Sequence, residues 1–303
     1  ADDPLHGRTR PRTALLRGSP PAPPADLAEQ VRRALAEDVG SGDLTASLVP
    51  AAARAAARVI TREPAVLCGQ AWFAEVFHQL DPSIRCEWLA AEGATVRADD
   101  SLCRVSGPAR AILTGERTSL NFLQLLSGTA TAARRFVEAV AGTGCRILDT
   151  RKTIPGLRTA QKYAVACAGA SNHRVGLFDA ILIKENHIVA AGSISAAVGA
   201  ARQRTPRTQV EVEVETLGEL EEALVAGADM ALLDEFTTAD LVKAVALNRA
   251  RGRPMMLEAS GGISLDNARD IALTGVDFIS VGGITKHVHA IDLSMRFALP
   301  PKE

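Results

Sequence analysis

The sequence predicts an α/β protein in which a β/α barrel-like domain follows a smaller α+β module. Three observations carry this reading. Of 303 residues, 47% are apolar but only 4% aromatic, and such short aliphatic side chains suit the layers between parallel strands and helices. In the second half, strand-like apolar runs alternate with helical segments, and repeated β-α units build parallel sheets with right-handed crossovers. No glycine fingerprint opens the first unit, and polar residues recur where strand after strand stops, which favours a barrel over a doubly wound sheet.

Residues 1–25 hold several arginines and the pairs Pro20-Pro21 and Pro23-Pro24. With few backbone donors and little to bury, they read as a mobile tail. A helix is expected over 26–37, with Asp26 as N-cap, Glu29 completing a capping box, and Leu27, Val31, Ala34 and Leu35 on one stripe. Gly40-Ser41-Gly42-Asp43 ends it. Alternating runs at 57–61, 95–97 and 102–105 read as strands, punctuated by Gly93 and Asp99-Asp100. One helix interrupts them at 70–80, with Trp72, Phe73, Val76 and Phe77 on its apolar side.

A helical stretch over 111–141, broken near Gly128, leads into the repeating part. Its strands are expected at 146–148, 180–183, 210–214, 230–233, 255–257 and 278–281. Helices are expected at 193–204, 217–226, 238–251 and 264–274, the last capped by Ser264. Residues 159–168 read as an ordinary packing helix behind the site.

Formal net charge is −1, so no global field draws nucleic acid or an anionic membrane, and neither is expected as a partner. Cys68, Cys86, Cys103, Cys145 and Cys167 show no CxxC spacing. They read as reduced, mostly buried small hydrophobes of an intracellular protein, not as a zinc or disulfide framework. No apolar run reaches membrane-spanning length and no signal-peptide core opens the chain, so a cytoplasmic location is expected.

The chemistry gathers at strand ends, which form the active-site face of β/α barrels. Arg146-Ile147-Leu148 runs into Asp149-Thr150-Arg151-Lys152, and Ile181-Leu182-Ile183 into Lys184-Glu185-Asn186-His187. One strand carries Glu211, Glu213 and Glu215 on one face; others end in Asp234-Glu235 and Glu258. Any one of these could be a buried structural ion, but the whole ring points to function. Arg151, Lys152, His173, Arg174 and Lys184 suit a small, multiply anionic substrate. Glu213 and Asp234 suit ribose hydroxyls or hydrated Mg²⁺. Ser260-Gly261-Gly262 and Gly282-Gly283 let backbone N–H groups approach a phosphate after the last strands. The sum is a phosphorylated sugar taken with a metal ion. His187 reads as a hydrogen-bonded strand-end residue; His287 and His289, at i, i+2 along a strand, lack a third ligand.

Several stretches carry a resemblance. Glu37-Asp38-Val39-Gly40-Ser41-Gly42-Asp43-Leu44-Thr45, Gly115-Glu116-Arg117-Thr118-Ser119-Leu120-Asn121-Phe122, Asp149-Thr150-Arg151-Lys152-Thr153, Asn172-His173-Arg174 and Lys184-Glu185-Asn186-His187-Ile188 resemble the signatures of the quinolinate phosphoribosyltransferase family. Order and spacing agree from about Asp26 to Phe297. The resemblance implies an N-terminal open-faced α/β sandwich over 26–120, joined by 288–303, and a seven-stranded β/α barrel over 121–287. It implies transfer of phosphoribosyl from phosphoribosyl pyrophosphate to quinolinate with loss of CO₂, in a homodimer with shared sites. Arg151, His173, Arg174, Lys184 and Thr150 would hold quinolinate, with Arg117 arriving from the neighbouring subunit. Lys152 would sit by the pyrophosphate, Glu213 and Asp234 by the ribose and Mg²⁺, and Ser260, Gly261, Gly262, Gly282 and Gly283 by the 5′-phosphate.

Three other readings remain open at this level. A related transferase could take nicotinate, although one carboxylate needs fewer cations. A Schiff-base aldolase could use Lys184. A non-catalytic phosphosugar binder would not need the acidic pair.

Overall fold

The protein's computed structural model describes residues 20–251 and 255–298. The expected tail lies outside the described residues up to residue 19, and the C-terminal segment does so from residue 299.

Helix α1 (Leu27–Val39) buries Leu27, Val31 and Leu35, as its stripe predicts. Its start differs from the expected capping box. Asp26 makes no side-chain bond to the first helical N–H groups; its carboxylate accepts from Gln30 Nε2 at 2.9 Å and from Thr159 Oγ1 at 3.0 Å. Glu29 pairs with Arg32 and Arg33 one turn on. A tertiary hydroxyl and nearby arginines offer better partners than the local cap.

A 3₁₀ turn (Ala46–Leu48) leads to β1 (Arg54–Thr61), β2 (Ala65–Val66), α2 (Gln70–Leu80), β3 (Arg85–Trp88), β4 (Thr95–Val96), β5 (Ser101–Pro108) and the long α3 (Ala109–Ala139). Strand β1 alternates buried Ala55, Ala57 and Val59 with exposed Arg54, Ala56 and Arg58. One face of its sheet therefore packs on α2 and α3 through Phe73, Phe77, Leu102, Ile112, Leu120 and Leu123. Each such side chain contributes about 1.5–3 kcal/mol on full burial. The other face is open, with Arg296, Arg58 and Arg104 abreast.

Helix α3 is continuous, against the expected break at Gly128. That glycine serves packing instead: a Cβ there would meet the His289 carbonyl oxygen at 2.1 Å. The returning C-terminal chain crosses the helix at this point.

The repeating part runs β6 (Arg146–Leu148), α4 (Arg158–Cys167), β7 (Ile181–Ile183), α5 (Glu185–Ala191), α6 (Ile194–Arg204), β8 (Val210–Val214), α7 (Leu217–Ala226), β9 (Met230–Asp234), α8 (Thr238–Arg249), β10 (Met256–Ser260), α9 (Ala268–Leu273), β11 (Phe278–Ser280) and α10 (Gly283–Lys286). The six strands lie in the order β6-β11-β10-β9-β8-β7, all parallel. A seventh position is filled by Ser171, which makes a single parallel bridge to Leu148. The seventh strand of the expected barrel is therefore one bridge long, too short to leave a periodic trace in sequence. The last strand, β12 (Leu293–Ala298), leaves the barrel and pairs antiparallel with β1.

Two local expectations change. Asn267 Oδ1 accepts from Ser264 N at 2.9 Å and the Asn267 amide donates to Gly262 O at 3.0 Å. This turn replaces the Ser264 cap and delays α9. His287 follows α10 and His289 precedes β12, so neither lies on a strand. No helix among the described residues is long and apolar enough to cross a membrane.

Helix α4 is tied to the barrel by charge as well as packing. Lys162 and Asp149 are both buried, with Nζ and Oδ1 2.5 Å apart. Burial pushes the Asp149 carboxyl up and the Lys162 ammonium down, against their mutual attraction. Removing one partner of such a pair strands a buried charge, so Lys162→Met is expected to lower unfolding stability by about 3–5 kcal/mol in urea denaturation. A loss below about 1 kcal/mol, the range of an exposed pair, would contradict this.

Candidate active site

The strand ends open into a cavity of about 230 Å³ at the mouth of the barrel. Thr150, Arg151, Lys152, His173, Arg174, Lys184, Glu213, Asp234 and Ser260 all line it. Nine of the residues expected from sequence thus meet in one place, contributed by strand ends from Asp149 round to Ser260.

Asp149 organises one side. Its carboxylate accepts from Lys162 Nζ, from His173 N at 2.8 Å and from Asn172 Nδ2 at 2.7 Å. Lys162 also donates to the His173 carbonyl at 2.9 Å. The Asn172-His173 backbone is thereby pinned, and its imidazole points inward. His173 Nε2 lies 2.7 Å from Glu211 Oε2 and 3.4 Å from Glu258 Oε2. Burial opposes the charge on His173, but hydrogen bonding to Glu211 and the nearby Glu258 outweigh it and raise the imidazole to about 10. Burial, with Glu258 beside it, also pushes the Glu211 carboxyl up. At neutral pH His173 is a cation.

The loop carrying Lys152 is held from beneath. Thr285 Oγ1 donates to Lys152 O at 2.8 Å, Gln161 Nε2 donates to Thr285 O at 2.9 Å, and Gln161 Oε1 accepts from Ile154 N at 2.8 Å. Thr150 Oγ1 accepts from Lys152 N at 3.0 Å. Gly282 sits directly under the lysine stem, where a Cβ would meet Lys152 Cδ at 2.9 Å. Gly261, at φ +88°, lies against Glu235, whose backbone nitrogen a Cβ would approach to 3.0 Å.

The charges are sorted. Among the described residues, Arg151, Lys152 and Arg174 have no carboxylate within 4.0 Å, while Lys184 is paired with Glu213. Burial, and then the neighbouring Arg151, pull the Arg174 guanidinium down from its usual value. Among the described residues, Arg151 Nε is buried without a hydrogen-bond partner, as are Glu211 Oε1 and both Glu258 oxygens. Buried polar groups are rarely left so; Arg151 and Glu258 line the mouth cavity, which can admit a polar ligand, whereas Glu211 lines a second cavity with Arg146 and His173.

Two groups fall outside this meeting. Arg117 is exposed on α3 and does not line the mouth cavity, and Gly261, Gly262, Gly282 and Gly283 flank its residues without lining it. Sequence reasoning missed Lys162, Gln161 and Thr285, which lie on α4 and α10. A lysine in the middle of an apolar helix face was the one available signal. His187 is hydrogen-bonded as expected, accepting from Lys184 N at 3.0 Å, but it does so from the first turn of α5, just past the strand end.

Comparisons with known proteins agree. Two family profiles match, described as Quinolinate phosphoribosyl transferase, N-terminal domain, over residues 43–127, and C-terminal domain, over residues 129–296. A probable nicotinate-nucleotide pyrophosphorylase (carboxylating) of Synechocystis is 42% identical over 86% of this chain and 89% of its own length. The nicotinate-nucleotide pyrophosphorylase (carboxylating) of Homo sapiens is 39% identical over 90% of this chain and 92% of its own. The solved structure of nicotinate-nucleotide pyrophosphorylase from Francisella tularensis superposes with a TM-score of 0.88 at 48% identity, covering 93% of this chain and 99% of that one. With both halves of the chain matched and the relatives covered almost end to end, the chain belongs to the quinolinate phosphoribosyl transferase family.

Proposed function

We infer that the barrel mouth transfers the phosphoribosyl group of phosphoribosyl pyrophosphate to quinolinate, releasing pyrophosphate and CO₂ and leaving nicotinate mononucleotide. The observation that carries this is the cationic wall: Arg151, Lys152 and Arg174 without carboxylate partners among the described residues, beside a protonated His173. A pyridine with two adjacent carboxylates matches such a wall; one carboxylate would leave part of its positive charge unmatched.

In this reading Arg151, Arg174, His173, Lys184 and Thr150 bind and orient quinolinate so that its ring nitrogen faces the sugar C1. Lys152 stands where pyrophosphate departs and meets the charge that grows on its bridging oxygen. Glu213 and Asp234 face the ribose and favour its oxocarbenium-like cation. Their rim carboxylates are also the hard oxygen donors that Mg²⁺ takes. The two acids would hold that ion with the phosphosugar, and it would supply charge to the diphosphate. The glycine turns at 261–262 and 282–283 would receive the 5′-phosphate through backbone N–H groups. Once the ring nitrogen is glycosylated, the pyridinium stabilises the electron pair of the bond to the adjacent carboxylate; CO₂ leaves and the ring carbon takes up a proton from water. Lys184, exposed and ion-paired with Glu213, has no desolvated amine to offer a carbonyl substrate, which disfavours Schiff-base chemistry. The reading includes a cytoplasmic homodimer in which Arg117 serves the partner's site; its exposure on α3, away from its own mouth, supports that role.

The direct test supplies quinolinate, phosphoribosyl pyrophosphate and Mg²⁺, and follows nicotinate mononucleotide and CO₂. Turnover of nicotinate alone would refute the reading. Arg174→Ala is expected to weaken quinolinate binding by roughly 2–5 kcal/mol by calorimetry. Unchanged affinity would remove Arg174 from the carboxylate-binding group.

The pH dependence follows from His173. Because its folded pKa is raised to about 10, its charge is present throughout neutral pH and is lost as pH rises through that value. Its share of quinolinate affinity should therefore stay level from pH 7 to 9, whereas Glu211→Gln should bring the loss to lower pH. A wild-type affinity that already falls near the ordinary histidine pKa of about 6.5 would show His173 is not held as a cation.

A further inference from the structure

Away from the barrel mouth, a second cluster of ligating groups joins the N-terminal module to α4. The Sγ atoms of Cys68 and Cys167 and a carboxylate oxygen of Glu92 all lie within 4.8 Å of one another. The surroundings hold each in place. Cys68 N donates to Ser127 Oγ at 3.0 Å, and Ser127 Oγ donates to Cys68 O at 3.1 Å, tying the Cys68 backbone to α3. Glu92 Oε1 accepts from Gly69 N at 2.8 Å and Tyr163 Oη at 3.1 Å, while among the described residues Oε2 accepts only from Gln70 N at 3.2 Å. One carboxylate lone pair on Oε2 is thus uncommitted. Gly93, at φ +78°, lets the Glu92 loop lie against the end of α4, where a Cβ would meet the Cys167 carbonyl at 3.2 Å.

We propose that Cys68, Cys167 and Glu92 form a site for a thiophilic divalent cation of the zinc class, clamping the N-terminal module to α4. A tetrahedral ion with metal–sulfur bonds of about 2.3 Å places its ligand atoms roughly 3.8 Å apart, so the three groups need close by only about 1 Å. Tyr163, one turn before Cys167 and bonded to Glu92, or a water completes the set. A cavity of about 280 Å³ reaches the cluster from the side of Glu92 and Tyr163, which line it with Gln70 and Trp88.

The same cluster suits a redox pair poorly. Disulfide exchange needs a thiolate, whereas burial, and then Cys167 and Glu92, push the Cys68 thiol up. Cys68 is also fully buried, out of reach of a disulfide reagent. A divalent cation reverses the balance: it binds two thiolates and one carboxylate and releases the two thiol protons to solvent. The site then carries a net charge of −1 beside the N-terminus of α2, which favours negative charge.

The test titrates the full, chelator-treated chain with Co²⁺ as a spectroscopic probe. The expected result is one equivalent bound, a near-ultraviolet thiolate-to-cobalt band, release of two protons per ion, and displacement by Zn²⁺. Cys167→Ala should abolish the band and Glu92→Gln should weaken binding by roughly tenfold or more. Asp234→Ala, at the barrel mouth, and Cys86→Ala, on β3, should leave it unchanged. No thiolate band, or a band that survives Cys167→Ala, overturns the proposal. So does loss of two thiols to glutathione disulfide in the metal-free protein, which would mark a redox pair. Band and proton release are read on the unmodified protein, so the decision stands even if a cysteine variant fails to fold.

Discussion

A lysine and an aspartate with almost no exposure, 2.5 Å apart, hold this active site together. Burying two charges costs several kcal/mol per ion before their attraction is counted, and burial still dominates both groups here. The pair is therefore a poor source of net stability but a strong constraint on geometry. The Asp149 carboxylate accepts three hydrogen bonds, from Lys162 Nζ, Asn172 Nδ2 and His173 N, and these tie β6, α4 and the Ser171–Arg174 segment into one arrangement. The single Ser171–Leu148 bridge continues this arrangement. A longer seventh strand is unnecessary when side chains fix its register.

The pinned backbone then determines the electrostatics. His173 points down onto Glu211 and Glu258, and two buried acids under one imidazole keep it charged. Above it, Arg151, Arg174 and Lys152 face the cavity, while Lys184 and Glu213 neutralise each other across the rim. Positive charge is concentrated on one wall and acid on the floor and far rim. A preorganised wall of this kind pays its desolvation on folding, so the substrate meets it without further reorganisation.

Much of this was legible in the residues. The alternation in β1, the Gln70–Leu80 helix and the strands at Arg146–Leu148 and Val210–Val214 follow from local periodicity, because each buries one face or is buried throughout. The chemistry at strand ends was legible for a related reason. Parallel β/α units leave only one end of each strand free for charged side chains, so Arg151, Lys184, Glu213 and Asp234 declare their location by position alone. What misled were features whose partners come from elsewhere: Gly128 resembles a helix breaker until His289 crosses it, and Asp26 resembles a cap until Thr159 reaches it.

The sequence by itself therefore determined the fold class, the cationic and acidic inventory and the end of the barrel at which it gathers, since these depend on spacing along one chain segment at a time. Only the tertiary structure decided which charges are paired and which are free. Lys184 meets Glu213, His173 meets Glu211, and Lys162, on what reads as a packing helix, meets Asp149. It also brought Cys68 and Cys167 together beside Glu92, with no CxxC spacing to announce them. Pairing depends on distance through space and on burial, and neither quantity is written in the order of residues.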